Sequence, residues 1–196
     1  TSLDVKLAEG PAWPREERLR VLRDTARAIP HAHAHGVIHR DLKPSNVRLD
    51  TQGRACVLDF GLARRLDDGA RLTASGQFLG TLGYMPPEQV DGLRGRIGPP
   101  SDVFALGAML YELLTGRPPF IGGHPMEIAA HTIRGDVARP RALDPGVPMD
   151  LETVCLRCLD SEPARRYADA GALADELVRI LAGEPILVPH AEQIPR

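Results

Sequence analysis

The chain has 196 residues, a formal net charge of −2, 43% hydrophobic residues and only 4% aromatic ones. That composition suits one globular domain with an aliphatic core, and the near-neutral balance gives no support for a nucleic-acid or membrane-surface partner. No apolar run approaches the roughly 18 residues of a membrane-spanning helix, no signal peptide is visible and three cysteines make no disulfide framework. The reading is a cytoplasmic domain, compatible with a membrane-anchored parent protein.

Residues 1–14 hold little periodicity and include Gly10, Pro11 and Pro14, with Leu3, Val5 and Leu7 as apolar positions. From Arg15 the spacing Leu19, Leu22, Ala26, Ile29 predicts a helix, opened by Pro14, Glu16 and Glu17. Pro30 falls inside it, lacks an N–H and presses on the carbonyl of Ala26, so a kink or early stop is expected there. Val47–Leu49 and Ala55–Leu58 read as two short strands, joined by the turn Asp50-Thr51-Gln52-Gly53. Residues 62–80 are polar and Gly-rich and read as a mobile loop.

Ser101 reads as the N-cap of a helix from Asp102 to Leu114, apolar on most sides and therefore buried. Gly116 and Pro118-Pro119 end it. Residues 125–134, 150–160 and 169–182 read as amphipathic helices, and 183–196, with Pro185, Pro189 and Pro195, as a tail or linker. Cys155 and Cys158 have metal-type spacing, but they sit among apolar positions of helical period with no second pair and no nearby His, which makes them helix core.

The run His39-Arg40-Asp41-Leu42-Lys43-Pro44-Ser45-Asn46, followed by Asp59-Phe60-Gly61, carries the chemistry. It sets a carboxylate, an ammonium, a carboxamide and a second carboxylate on two loops joined by the expected hairpin. Phosphoryl transfer needs such a set: a carboxylate to take a hydroxyl proton, a cation for the moving phosphoryl charge and two oxygen ligands for magnesium.

The eight-residue run resembles the catalytic loop of protein kinases, with Asp-Phe-Gly at the expected interval. The chain is similar to a eukaryotic-like, bacterial-type serine/threonine protein kinase from about residue 15 to about residue 188. The resemblance implies a mainly α fold with a small β-hairpin (α+β): residues 1–14 as a remnant of the hinge and first-helix region, 15–182 as the large lobe, and 183–196 as tail. A small lobe is not expected within this chain: the residues before His39 hold no Gly-x-Gly-x-x-Gly, and their one lysine, Lys6, lies in no strand-like run. An isolated lobe without it is expected to show no kinase activity.

The resemblance also implies roles. Asp41 is the catalytic base, Lys43 sits against the γ-phosphate of ATP, and Asn46 and Asp59 hold Mg2+. His39 and Phe60 stack in a packing spine, with Gly61 completing the metal-loop motif. Asp102 accepts hydrogen bonds from the catalytic-loop backbone. Gly80-Thr81-Leu82-Gly83-Tyr84-Met85-Pro86-Pro87-Glu88 docks the protein substrate, with Pro86 where relatives have Ala. Thr81 bridges Asp41 and Lys43, and Glu88 pairs with Arg166. Thr73 and Ser75 are candidate phosphosites, and Arg40 is the type of residue that binds such a phosphate.

Arg48 departs from the pattern. Strand alternation sets it opposite to Val47 and Leu49, where relatives place an apolar floor under adenine, so it faces the nucleotide. The rival reading is a pseudokinase or truncated lobe acting only as a protein-binding module. The intact Asp41, Lys43, Asn46 and Asp59 weigh against it.

Overall fold

The computed structural model describes residues 1–60, 81–92 and 97–189. The expected mobile loop at 62–80, Gly61, Thr73, Ser75 and the end of the tail lie outside the described residues. The helices are α1 (Leu3–Leu7), α2 (Arg15–Ala34), α3 (Pro87–Val90), α4 (Pro99–Thr115), α5 (Pro125–Arg134), α6 (Pro140–Leu143), α7 (Met149–Cys158) and α8 (Ala170–Leu181). Strands β1 (Val47–Leu49) and β2 (Ala55–Val57) form a two-stranded antiparallel sheet, paired Val47↔Val57, Arg48↔Cys56 and Leu49↔Ala55. Helices therefore dominate, with one small hairpin.

Helix α4 is the axis of the core. From Ser101 to Leu114 every residue but Glu112 is buried, as its all-round apolar sequence requires. Helices α2, α7 and α8 pack around it. The approach of α7 is close because Gly107 has no side chain: a Cβ there would lie 2.3 Å from the Cβ of Cys158. Cys155 and Cys158 are fully buried in this contact. Burial pushes both thiols up, and the Cys155 thiol donates to the Gly107 carbonyl at 3.7 Å. They are core residues, as the helical spacing implied.

Two sequence expectations are corrected. Helix α2 does not stop at Pro30; it runs on to Ala34 and ends through Gly36, whose φ of +75° suits a left-handed cap. An internal proline costs a helix about 3 kcal/mol. Each large aliphatic side chain fully buried returns about 1.5–3 kcal/mol, and Leu19, Val21, Leu22 and Ile29 are all buried on this helix. Tertiary packing therefore outweighs the broken ladder. The Pro30 ring itself lies beside α8, 3.5 Å from where a Gly171 Cβ would stand.

The second correction concerns Ser101. It is not the N-cap: α4 begins two residues earlier, at Pro99, with Gly98 as cap. Ser101 Oγ accepts from the Gly98 amide at 3.2 Å and donates to Glu88 Oε1 at 2.7 Å. A proline in the first helical position is well tolerated, because its missing N–H would have had no helical partner.

The first residues and those following α8 are both tied down. Thr1 exchanges hydrogen bonds with Leu49 through its amino group (2.9 Å) and its carbonyl (2.7 Å), so residues 1–2 flank β1. The Arg18 guanidinium binds the carbonyls of Gly10, Trp13 and Leu113, fixing the approach to α2. Beyond α8, both oxygens of the buried Glu176 accept the Leu187 amide, and Ile186 and Val188 pack on the core. The first part of the expected tail is thus folded against the domain.

Gly107→Ala should destabilise the chain by about 1–3 kcal/mol or more, because backbone and Cβ of α7 cannot yield as a flexible side chain does. Urea unfolding of the variant measures this, and a wild-type midpoint would contradict the close crossing.

Candidate active site

The catalytic loop is shaped from beneath by one carboxylate. Asp102, in the first turn of α4, is 1% exposed. Its Oδ2 accepts the His39 amide at 2.9 Å and His33 Nε2 at 2.8 Å, while Oδ1 accepts the Arg40 amide at 2.9 Å. These bonds hold Arg40 at φ +68°, a left-handed conformation uncommon for a residue other than glycine. Such a residue costs about 1–3 kcal/mol. Hydrogen bonds to a charged acceptor return about 1.5–3 kcal/mol each, so Asp102 offsets the strain.

His39 joins this loop to the next. Its Nδ1 accepts the Asp41 amide at 3.3 Å, which leaves the proton on Nε2, and Nε2 donates to the Leu58 carbonyl at 2.8 Å. The Leu58 amide in turn reaches the Asn46 carbonyl at 2.8 Å. Asp59 follows directly, itself left-handed at φ +61°, and the Phe60 ring meets the His39 ring edge-on at 5.0 Å. The hairpin register thus brings the two polar loops into one site.

Within it, Lys43 Nζ lies 3.1 Å from Asp41 Oδ2 and 3.1 Å from Thr81 Oγ1. Asn46 Nδ2 donates to the Asp41 carbonyl at 2.7 Å and to Asp41 Oδ2 at 3.3 Å. Asp41 stays 38% exposed at its side chain, so its carboxylate is open to solvent. Arg48 is exposed across the ladder from Cys56, on the face opposite the buried Val47 and Leu49, as alternation required.

Glu88 and Arg166 meet in a bidentate pair, Nη1–Oε1 at 2.8 Å and Nη2–Oε2 at 2.9 Å. Both side chains are fully enclosed, and the rest of the guanidinium is satisfied by the carbonyls of Asp160, Pro100 and Ser161. Burial pushes the Glu88 carboxyl up, but the hydrogen bonds of Arg166 and Ser101 and the Arg166 charge outweigh it and hold it below its ordinary range. Tyr84 ties the same segment to α4 by donating to Glu112 Oε2. Burial pushes that phenol up, so it remains a donor.

Several of these groups escaped sequence reasoning. His33 continues the stripe Leu22, Ala26, Ile29 by another helical step, and that periodicity was the available signal. The Tyr84–Glu112 bond and the bond from Gln89 Nε2 to the Arg40 carbonyl (2.9 Å) link residues far apart in sequence, with no local pattern to reveal them.

A divalent cation fits the donor set. Asn46 spends its NH2 on Asp41, leaving Oδ1 without a protein donor among the described residues, and the exposed Asp59 carboxylate has no cationic partner among them. Hard oxygen ligands in small number suit magnesium, which keeps water and phosphate oxygens in its remaining positions.

A buried anion under the loop, a carboxylate–ammonium–carboxamide cluster above it and an ion-paired segment at 81–88 form one polar site on the helical domain. The model of the protein kinase domain matches residues 2–178, and the chain belongs to that family; the family uses ATP and a divalent metal. Among curated proteins, the chain is 38% identical to the serine/threonine-protein kinase PknB of Mycobacterium tuberculosis, over 96% of this chain and 30% of that protein. It is 35% identical to PknB of Mycobacterium leprae over the same shares, and 37% identical to PknB of Mycolicibacterium smegmatis over 94% and 29%. The chain spans less than a third of the length of these relatives.

Arg166→Met should cost about 3–5 kcal/mol, because it strands the Glu88 carboxylate inside the protein. The pair's contribution is fully present above pH 4.5, the ordinary glutamate value, and is lost as pH falls through the depressed folded value. Urea unfolding between pH 7 and pH 3 reads both effects. A loss below about 1 kcal/mol in the variant would mean that the pair behaves like a solvated one.

Proposed function

We propose that this chain is the large lobe of a serine/threonine protein kinase, transferring the γ-phosphoryl group of ATP to a protein hydroxyl. The observation that carries this reading is the cluster of Lys43 with Asp41 and Thr81, buttressed by Asn46 on the Asp41 carbonyl. Asp41 accepts the proton of the attacking serine or threonine hydroxyl. The new oxygen–phosphorus bond forms as the bond from the γ-phosphorus to the bridging oxygen breaks, and ADP leaves.

Lys43, steered by its two neighbours, offers its charge to the moving phosphoryl group. Asn46 and Asp59 are the residues that would hold magnesium, whose charge offsets that of the phosphates when bound. Arg48 faces the nucleotide base. Thr81 and the segment up to Glu88 seat the substrate chain, with Arg166 and Asp102 as the anchors behind it. Thr73 and Ser75 are proposed phosphosites, with Arg40 as their charge partner.

Positioning is most of such catalysis, so the test uses the chain joined to a small lobe that carries a glycine-rich loop and a strand lysine. Asp41→Asn should lower transfer from labelled ATP by about 10²–10⁴-fold while leaving nucleotide binding nearly intact. Asp59→Asn should weaken binding that depends on magnesium, read by calorimetry. Wild-type rates in both variants would overturn the assignment.

A further inference from the structure

Gln89 stands in α3, directly after the ion-paired Glu88, and no role in the site falls to it from the motifs. Its Nε2 donates to the carbonyl of Arg40 at 2.9 Å, across 49 residues of sequence. The orientation of the amide is fixed by chemistry, because a carbonyl only accepts. Its Oε1 is buried and has no donor among the described residues. An orphaned buried acceptor is a standing cost, so the side chain holds this pose for the bond that its other end makes.

That bond falls on a particular peptide unit. The Arg40–Asp41 peptide separates a left-handed residue from the carboxylate at the centre of the site. Its N–H is held by His39 Nδ1 at 3.3 Å, its carbonyl by Gln89, and the preceding amide by Asp102 at 2.9 Å. Turning this peptide over, by rotation about Arg40 ψ and Asp41 φ, would break both of its bonds and re-aim Asp41 relative to Lys43 and Asn46. Among the described hydrogen bonds, that of Gln89 is the one that reaches this peptide unit directly from the docking side, while Thr81 reaches the Asp41 carboxylate only through Lys43.

We propose that Gln89 is a positioning residue: it couples the seating of the docking segment to the orientation of Asp41 by clamping the Arg40 carbonyl. The claim rests on the kinase reading for its catalytic half and on geometry alone for its structural half. Glu88 fixes α3 through Arg166, and Gln89 passes that fixed position to the catalytic loop. When the docking segment shifts, the clamp opens and the peptide keeps only its bond to His39 against turning.

Two variants test it. Gln89→Met keeps the length of the side chain and removes both the donor and the orphaned acceptor, so the thermal midpoint should stay within about 2 °C of wild type. In the 196-residue chain the Arg40 carbonyl carbon resonance should move upfield, as a carbonyl does on losing a donor. In the chain joined to a small lobe, kcat should fall about 3- to 10-fold, the range of one hydrogen bond, with KM for ATP within about twofold.

Gln89→Glu repels the carbonyl when ionised and donates to it when protonated. The Arg40 resonance should therefore return towards the wild-type position as pH is lowered through the carboxyl titration. An unchanged Arg40 resonance in both variants overturns the clamp. A moved resonance with unchanged kcat overturns its coupling to catalysis. A large drop in thermal midpoint in both makes Gln89 a fold residue and also overturns the proposal. If the joined wild-type chain transfers no phosphate, the kinase reading fails and the resonance still decides whether the clamp exists.

Discussion

The carboxylate of Asp102 is a nearly inaccessible anion with three donors aimed at it, from His33, His39 and Arg40. Withdrawing a charge of this kind from water costs several kcal/mol, and only good hydrogen-bond geometry repays it. Once repaid, the anion dictates the backbone above it. It holds Arg40 in a left-handed turn, sets the His39 ring against the Asp41 amide and the Leu58 carbonyl, and thereby joins the hairpin to the catalytic loop. The rest of the site hangs from that frame.

A second frame works from the other side. Glu88 and Arg166 lie far apart in sequence but close as a buried bidentate pair, and Ser101 shares the Glu88 carboxylate from the first turn of α4. Both frames therefore root in the same helix end: Ser101 supports the segment that ends at Glu88, and Asp102 supports the loop at His39 and Arg40. The all-round apolar character of α4 embeds that end in the core, since nearly every residue behind it is buried. A rigid buried helix is a suitable base for polar groups that must keep sub-ångström relations.

Much of this was legible before any coordinates. The eight-residue loop motif and Asp-Phe-Gly marked the site, strand alternation sent Arg48 to the open face, and apolar periodicity marked the central helix and the cysteine-bearing one. The Glu88–Arg166 pairing was reached through family resemblance, because no local spacing links two residues so distant. The failures share one cause. Pro30 reads as a breaker only while local propensity decides; the buried stripe of α2 decides otherwise. Ser101 reads as a cap only while the Gly98-Pro99-Pro100 segment counts as loop. His33, Gln89 and the Tyr84–Glu112 bond depend on which elements meet in space, and that is set by packing.

The central claim is that the Asp102 anion, through the His39 and Arg40 amides, holds the loop in its strained form. Amide hydrogen exchange in Asp102→Asn tests it most directly. The carboxamide keeps the size of the side chain but offers a single, uncharged acceptor oxygen. Protection of the His39 and Arg40 amides should fall by at least about tenfold, the worth of one charge-assisted bond, while amides within α8 keep theirs. Unchanged protection at His39 and Arg40 would contradict it, because the loop would then owe its shape to something other than this buried charge.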